Sequence, residues 1–402
     1  MELTAGYPFW LIKNGIPFEY PKLLKNIHSR VVVIGGGISG ALTAYYLTEQ
    51  GVDCILVDGR SIGQGSTCAS TSLLQYELDT PLHMLIKQIG EVNAIRSYQL
   101  CGESIDTLIG IMDHIGFDAY DSRKSLFFTS HKSQLSFIEK ELTARRQAGF
   151  DVSFLTKNEI YENYCMNAEY AILSEKGATI DAYALTHALL KHSMGKGLQV
   201  FDRTGIKDIK YNANNVELKT ADGVFISAEK IVNASGFEVI NFISRDIVDL
   251  YCTYAVVSEN EQEKEAIWKD RIMIWNTDNP YLYLRLTQDN RIIMGGRDVR
   301  FSHKASRGLY DKKAAQLCSD FEKLFPGKKF KAEFAWSGTF GKTKDSLPYI
   351  GEFAKTPNTY YALGFGGNGI TFSVIAAQII KDHMLGKRNE DAEIFSFDRK
   401  SG

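Results

Sequence analysis

Three glycines, Gly35, Gly37 and Gly40, stand in G-x-G-x-x-G spacing between an apolar, β-branched run, Val31 to Ile34, and a helix-forming stretch, "SGALTAYYLTEQG". One glycine permits a tight turn, one lets backbone approach a pyrophosphate, and one lets the helix pack closely on the strand. The helix that opens at Ile38 and Ser39 then points its first amides and its positive dipole end at phosphate. Asp58 closes a second apolar run, "CILVD", at the spacing where a carboxylate accepts hydrogen bonds from adenosine ribose hydroxyls. A glycine triplet alone is what many strand-to-helix turns need for steric reasons. Strand, helix and terminal acid together predict a dinucleotide site, without separating a nicotinamide from a flavin dinucleotide.

A second strand, glycine turn and helix, "YYALGFGGNGITFSVIAAQIIKDHMLG", lies near the other end of the chain. A nicotinamide dehydrogenase has little use for it, whereas a bound flavin does; the bland alternative is a flexible loop. Directly after Asp58, "GQGSTCASTSLLQYELD" reads as a loop in which Ser66, Thr67, Thr71 and Ser72 offer short donors to a phosphate and a flat ring, or simply a solvated surface. Further on, Tyr281, Tyr283 and Arg285 share one face of a strand by period-two alternation and are candidates as a set, the alternative being ordinary sheet surface.

The elements that must position these groups follow from pattern. Helices are expected through "HMLIKQIGEVNAIRSYQLCGESIDTLIGIMDHIG", then strands from about 117 to 156 around the charged helix "SQLSFIEKELTARRQAG". "ATIDAYALTHALLKHSMGKG" predicts a helix capped by Asp181, and the segment after it predicts strands joined at an Asp222-Gly223 hairpin turn. With 402 residues and 44% hydrophobic content the chain can bury large cores, and its length suggests two or three domains. A formal charge of −2 with no basic block argues against nucleic acid or anionic membrane as a partner. The six cysteines are scattered without C-x-x-C pairing, which predicts reduced thiols and a cytoplasmic setting. No histidine pair has metal-ligand spacing, His187 and His192 read as solvent-facing, and no metal is expected. The first residues lack an uninterrupted apolar core and "ITFSVIAAQII" is too short and polar to span a bilayer, so neither secretion nor membrane insertion is expected. Nothing in the pattern speaks to oligomeric state.

Taken in order, "VVVIGGGISG" with Asp58, "GSTCASTSLL", "TGIKDI" with "IVNASG", "YLYLRLTQDNRIIMGGRD", "WSGTFGKTKDSLPYIGE", "ALGFGGNGIT" and "IFSFDRK" resemble the D-amino-acid oxidase, glycine oxidase and sarcosine oxidase superfamily of FAD-dependent oxidoreductases, over nearly the whole chain. The resemblance implies an α/β protein. Its Rossmann-type, glutathione-reductase-like FAD-binding domain is discontinuous over 28–110, 170–245 and 336–402. A mixed-sheet α+β substrate domain takes 111–169 and 246–335, and 1–27 form an N-terminal extension.

The resemblance also implies that Gly35, Gly37, Ile38, Ser39 and Gly40 face the FAD pyrophosphate and that Asp58, Gly59 and Arg60 face the adenosine ribose. Gly65, Ser66, Thr67, Thr71, Ser72 and Leu73 line phosphate and flavin, and Ile206, Ala234 and Gly236 meet the adenine. Gly338, Gly364, Gly366, Gly367, Asn368, Gly369, Ile370 and Thr371 surround the flavin, bringing a helix N-terminus to the N1–C2 edge, where reduced flavin is anionic. The implied activity is oxidation of the C–N bond of an amine or amino acid by hydride transfer to flavin N5. Tyr283 stands at the position of a substrate-binding tyrosine and Arg285 beside it. Relatives hold a substrate carboxylate with an arginine where this chain has Phe340, and with another where it has Gly367. An amine that is secondary or remote from its carboxylate is therefore expected, with Arg285 or Lys342 as replacement anchors. The FAD is expected to be non-covalent, because no cysteine follows Cys318 and Gly338 takes the place of a tethering cysteine. The alternatives are an NAD-dependent Rossmann dehydrogenase and a flavin-binding module without catalysis.

Overall fold

The run Val31 to Ile34, buried on both faces, ends the strand Ile27–Ile34. This computed structural model describes residues 4–241, 243, 247–260, 268–302 and 307–399. Strand Ile27–Ile34 runs parallel to Cys54–Val57 on one side and to Phe225–Asn233 on the other, and Gln199–Phe201 extends the sheet in parallel beyond Cys54–Val57. The Thr359–Leu363 strand joins Phe225–Asn233 in parallel, placing the second glycine turn at the same edge as the first. Alternation divides the core: Val31, Val33 and Leu56 pack with helices Ile38–Glu49, Glu91–His114, Ala182–Met194 and Gly369–Met384, while Val32, Ile34, Ile55 and Val57 pack with Leu218, Ile226 and Ile231.

A second, nine-stranded sheet is ordered Thr4–Gly6, Ala332–Lys342, Asp249–Ser258, Ile292–Arg300, Tyr283–Leu286, Met273–Asn276, Ser125–Thr129, Tyr170–Ser174, Val152–Thr156. It is antiparallel except where Met273–Asn276 runs parallel to Ser125–Thr129, and is therefore mixed. Its core includes Leu284, Met294, Phe321 and Phe325, with helix Arg307–Leu324 packed against it.

Local expectations that depend on neighbouring residues reappear as geometry. The Asp181 carboxylate accepts the Ala184 N–H at 2.9 Å and caps its helix, and Gly223 turns at φ 85° between Val216–Thr220 and Phe225–Asn233. Other expectations shift. Tyr170–Ser174, expected within the FAD-binding domain, pairs within the nine-stranded sheet, and Ala332–Lys342 of the same sheet crosses the boundary expected at 336. Thr4–Gly6, expected in an extension, is an edge strand with Thr4 opposite Gly338. The loop expected from Gly63 to Asp79 contains a helical turn, Ser66–Ala69, and a short strand, Leu73–Leu74. His187, expected to face solvent, is buried 3.1 Å from the Tyr20 hydroxyl, and burial lowers its pKa to about 4. The boundary expected between 245 and 246 lies outside the described residues. No helix among the described residues is long and apolar enough to cross a membrane.

Candidate active site

The two glycine turns meet in one cleft of about 550 Å³. At the first, Gly35 adopts φ 110°, and a Cβ there would lie 2.5 Å from the Ala234 carbonyl oxygen. A Cβ on Gly40 would lie 1.8 Å from the Gly35 carbonyl oxygen, so the helix reaches its strand only without a side chain. Gly40 thus shapes the turn without lining the cleft, whereas Gly35, Gly37, Ile38 and Ser39 line it.

Asp58 lines the cleft and organises the strand end. Its carboxylate accepts the Gly36 and Arg60 N–H groups at 2.6 Å each. Burial outweighs these bonds and raises its pKa. The Arg60 guanidinium holds Glu238 in a fork at 2.7 and 2.6 Å, and both residues line the cleft with Gly59, Ile206, Ala234 and Gly236.

Gly65 to Leu73 form the next wall, with Gly65, Ser66, Thr67, Thr71, Ser72 and Leu73 lining the cleft. Thr67 Oγ1 accepts the Ile38 N–H at 3.1 Å, tying this wall to the first glycine turn. Three buried side chains hold its backbone from behind. Trp336 Nε1 donates to the Ala69 carbonyl at 2.8 Å, Trp10 Nε1 to the Ser70 carbonyl at 2.7 Å, and Arg285 Nη1 to the Ser72 and Ile180 carbonyls at 2.7 Å each and to Thr71 at 3.3 Å. Arg285 therefore does not line the cleft: it shares a strand with Tyr283, but its guanidinium is committed to carbonyls under the wall and lies over the Trp10 ring.

At the second turn, Asp79 accepts the Tyr281 hydroxyl at 2.7 Å and the Gly367 N–H at 3.1 Å, while Asn368 Nδ2 donates to the Gln75 and Glu77 carbonyls at 3.2 and 2.8 Å. A Cβ on Gly367 would lie 2.5 Å from Asp79 Oδ1. Ser39 and Ser373 hydroxyls meet at 2.6 Å, linking the two glycine-started helices. Gly364, Gly366, Gly367, Asn368, Gly369, Ile370 and Thr371 all line the cleft.

The nine-stranded sheet contributes Thr253, Tyr283, Asp298, Gly338, Thr339 and Phe340 to the lining, and Tyr281 joins them from just before the Tyr283–Leu286 strand. The Tyr283 ring covers Gly295, where a Cβ would lie 2.3 Å from the ring, and its hydroxyl sits 3.0 Å from Thr253 Oγ1. Lys342 Nζ stands 5.3 Å from the centre of the Phe340 ring, 5.4 Å from that of Tyr251 and 5.9 Å from that of Tyr281, without lining the cleft. Among the described residues Arg60 is the single basic residue of the lining, and no cysteine or histidine belongs to it. Thr253, Glu238 and Asp298 escaped the pattern. A charged residue continuing the strand after "IIMGG" was the available signal for Asp298. Glu49, His114 and His192 place ligand atoms within 4.8 Å of one another away from this cleft, but Lys196 Nζ lies 2.7 Å from Glu49 and brings an ammonium to that spot.

Residues 30–383 match the model of the FAD dependent oxidoreductase family. The chain is similar to glycine oxidase of Bacillus subtilis, 24% identical over 386 residues covering 93% of this chain and 98% of the relative. It is also similar to gamma-glutamylputrescine oxidoreductase of Escherichia coli, 23% identical over 404 residues covering 98% of this chain and 91% of the relative. In fold it is similar to glycine oxidase from Geobacillus kaustophilus, with a TM-score of 0.79 at 20% identity over 93% of this chain and 100% of that one. For L-proline dehydrogenase from P. horikoshii the TM-score is 0.78 at 20% identity, over 93% of this chain and 97% of that one. The matched span contains every segment that lines the cleft, and the chain belongs to the family of FAD dependent oxidoreductases.

Proposed function

We propose that this FAD-dependent oxidoreductase oxidises the C–N bond of an amine or amino acid, with the substrate bound between the flavin and the nine-stranded sheet. The observation that carries the reading is the convergence of two glycine-started helices, from opposite ends of the chain, on one cleft. One helix start suits a pyrophosphate and the other suits the electron-rich edge of a reduced ring, since both offer a positive dipole end. Asp58 faces the ribose in this reading, Ile206, Ala234 and Gly236 the adenine, and the Gly65–Leu73 wall the flavin. The lining fits such a group: close backbone at Gly35 and Gly37, short hydroxyls at Ser66, Thr67 and Thr71, and a flat apolar stretch at Leu73 and Ile370.

When bound, FAD supplies a two-electron acceptor. The chain's own residues hold the amine-bearing carbon in place and keep water out. That carbon gives up a hydride, the nitrogen lone pair forms the C=N bond, and water then releases a carbonyl product and the amine. The reacting amine must be neutral, so no strong general base is required. Phe340 and Gly367 leave a substrate α-carboxylate without a guanidinium fork, and Arg285 and Lys342 do not line the cleft to replace it. The substrate amine is accordingly secondary or set apart from any carboxylate. Among the described residues neither cysteine nor histidine lines the cleft for a covalent tether, and in this reading the flavin is held non-covalently. The six cysteines are all free, in keeping with a cytoplasmic protein.

Anaerobic mixing with a panel of amines and amino acids tests the reading. Purified protein should be yellow, and at least one amine should bleach it. Protein that lacks flavin absorbance would point to the nicotinamide reading, and yellow protein that no amine bleaches would point to a binding module.

A further inference from the structure

Asp298 sits at the substrate end of the cleft with one carboxylate oxygen left without a hydrogen-bond partner. Its side chain is only 7% exposed, it lines the cleft beside Tyr281, Tyr283 and Phe340, and Oδ1 has no hydrogen-bond partner. Lys342 approaches the other oxygen, Oδ2, but at 3.9 Å it is beyond hydrogen-bond reach, and its ammonium is surrounded by the Phe340, Tyr251 and Tyr281 rings. Burial raises the Asp298 pKa, outweighing a hydrogen bond from the Thr253 side chain and the Lys342 and Lys313 ammonium groups, which favour the charged form, while Asp79 opposes it. A buried carboxylate oxygen without a donor is costly, and such a cost is relieved by a ligand that brings the missing N–H.

We propose that Asp298 is a specificity-determining residue that binds a second, non-reacting ammonium of the substrate, making the preferred substrate a diamine or polyamine-type amine. The assignment rests on the amine-oxidising reading above and deepens it. The held nitrogen is not the reacting one, because a carboxylate stabilises the ammonium form whereas hydride leaves only from a carbon bearing a neutral amine. The rings of Tyr281, Tyr283 and Phe340 add faces that favour a cation over an alkyl chain. The Phe340 position, where an arginine would repel such a substrate, fits the same preference.

The test compares 1,4-diaminobutane with pentylamine, which has the same number of heavy atoms and lacks the second charge, on the flavin-loaded enzyme under anaerobic conditions. Binding is read from the shift of the oxidised flavin band and reduction from its bleaching. The wild-type enzyme should bind 1,4-diaminobutane about ten- to a hundredfold more tightly than pentylamine, the range of a charge-assisted hydrogen bond. Asp298→Asn should abolish that preference. Asp298→Glu, which keeps the charge one methylene further out, should move the preference to 1,3-diaminopropane. If the preference survives in Asp298→Asn with full FAD content, or if the wild-type enzyme prefers pentylamine or glycine to 1,4-diaminobutane, the proposal is overturned. Should Asp298→Asn fail to retain FAD, the chain-length shift in Asp298→Glu decides, and its absence overturns the proposal. Binding without bleaching by any amine would sink the oxidase reading while leaving the Asp298 assignment standing.

Discussion

Replacing Arg285 by methionine separates two roles that the strand pattern alone cannot distinguish. The structure has Arg285 bracing the Gly65–Leu73 wall of the cleft, through two bonds of 2.7 Å to the Ser72 and Ile180 carbonyls and one of 3.3 Å to Thr71. A hydrogen bond from a charged donor contributes about 1.5–3 kcal/mol, so the two short bonds represent about 3–6 kcal/mol gross. Burying a guanidinium among carbonyls, with no carboxylate in the bonded set, offsets part of this, and methionine refills some of the volume. A net loss of about 2–4 kcal/mol follows. Because Thr71 and Ser72 line the cleft, much of this should fall on FAD affinity, as a rise in Kd of roughly thirty- to a thousandfold. Fluorescence titration of apoprotein with FAD reads this directly, and thermal unfolding with and without FAD reads the loss in the scaffold. Substrate discrimination measured at saturating FAD should stay unchanged. If Arg285→Met keeps its FAD affinity and melting temperature but raises KM for substrates selectively, the guanidinium anchors substrate and the bracing role is wrong.

Asp58→Asn should weaken FAD binding by roughly one to two orders of magnitude, since it removes the charge behind its hydrogen bonds and turns an amide toward the Gly36 or Arg60 N–H group; an unchanged flavin titration would place the ribose elsewhere. Acid precipitation of the yellow protein should send the flavin to the supernatant, whereas colour in the pellet would reveal a covalent link. Glu141 is completely buried, and although burial opposes its charge, Arg145 at 2.7 Å and His83 at 2.7 Å hold its pKa down to about 2 from 4.5. A depressed carboxylate pKa contributes stability that is present above the unfolded value and lost as pH falls from about 4.5 toward 2, about 3 kcal/mol when complete. Denaturant midpoints of wild-type protein and Glu141→Gln should therefore converge as pH falls below about 4.5; a constant difference would show that Glu141 does not titrate in that window.

What could be read along the chain is what depends on neighbours in the chain. The β-branched run to Ile34, the glycines at 35, 37 and 40, the Asp181 cap and the Asp222-Gly223 turn each express a local steric or hydrogen-bonding requirement, so residue type and spacing determine them. The second glycine turn at 366–369 was legible for the same reason, and its kinship with the first pointed to a flavin. Which of these units share a cleft was decided by sheet pairing between distant segments. Thr359–Leu363 lies beside Phe225–Asn233, and Asp79 is bonded to both Tyr281 and Gly367. The same long-range pairing put Thr4–Gly6 and Tyr170–Ser174 into the nine-stranded sheet. Period-two alternation correctly placed Tyr283 and Arg285 on one face, but only packing determined that one ring reaches the cleft while the guanidinium, two residues on, meets the carbonyls beneath its wall. Asp298 is the clearest case: an acid in "GGRD" looks like any solvated strand end, and its unpartnered oxygen becomes meaningful only because the fold buries it and brings it into the same cleft lining as Tyr281, Tyr283 and Phe340 from distant parts of the chain.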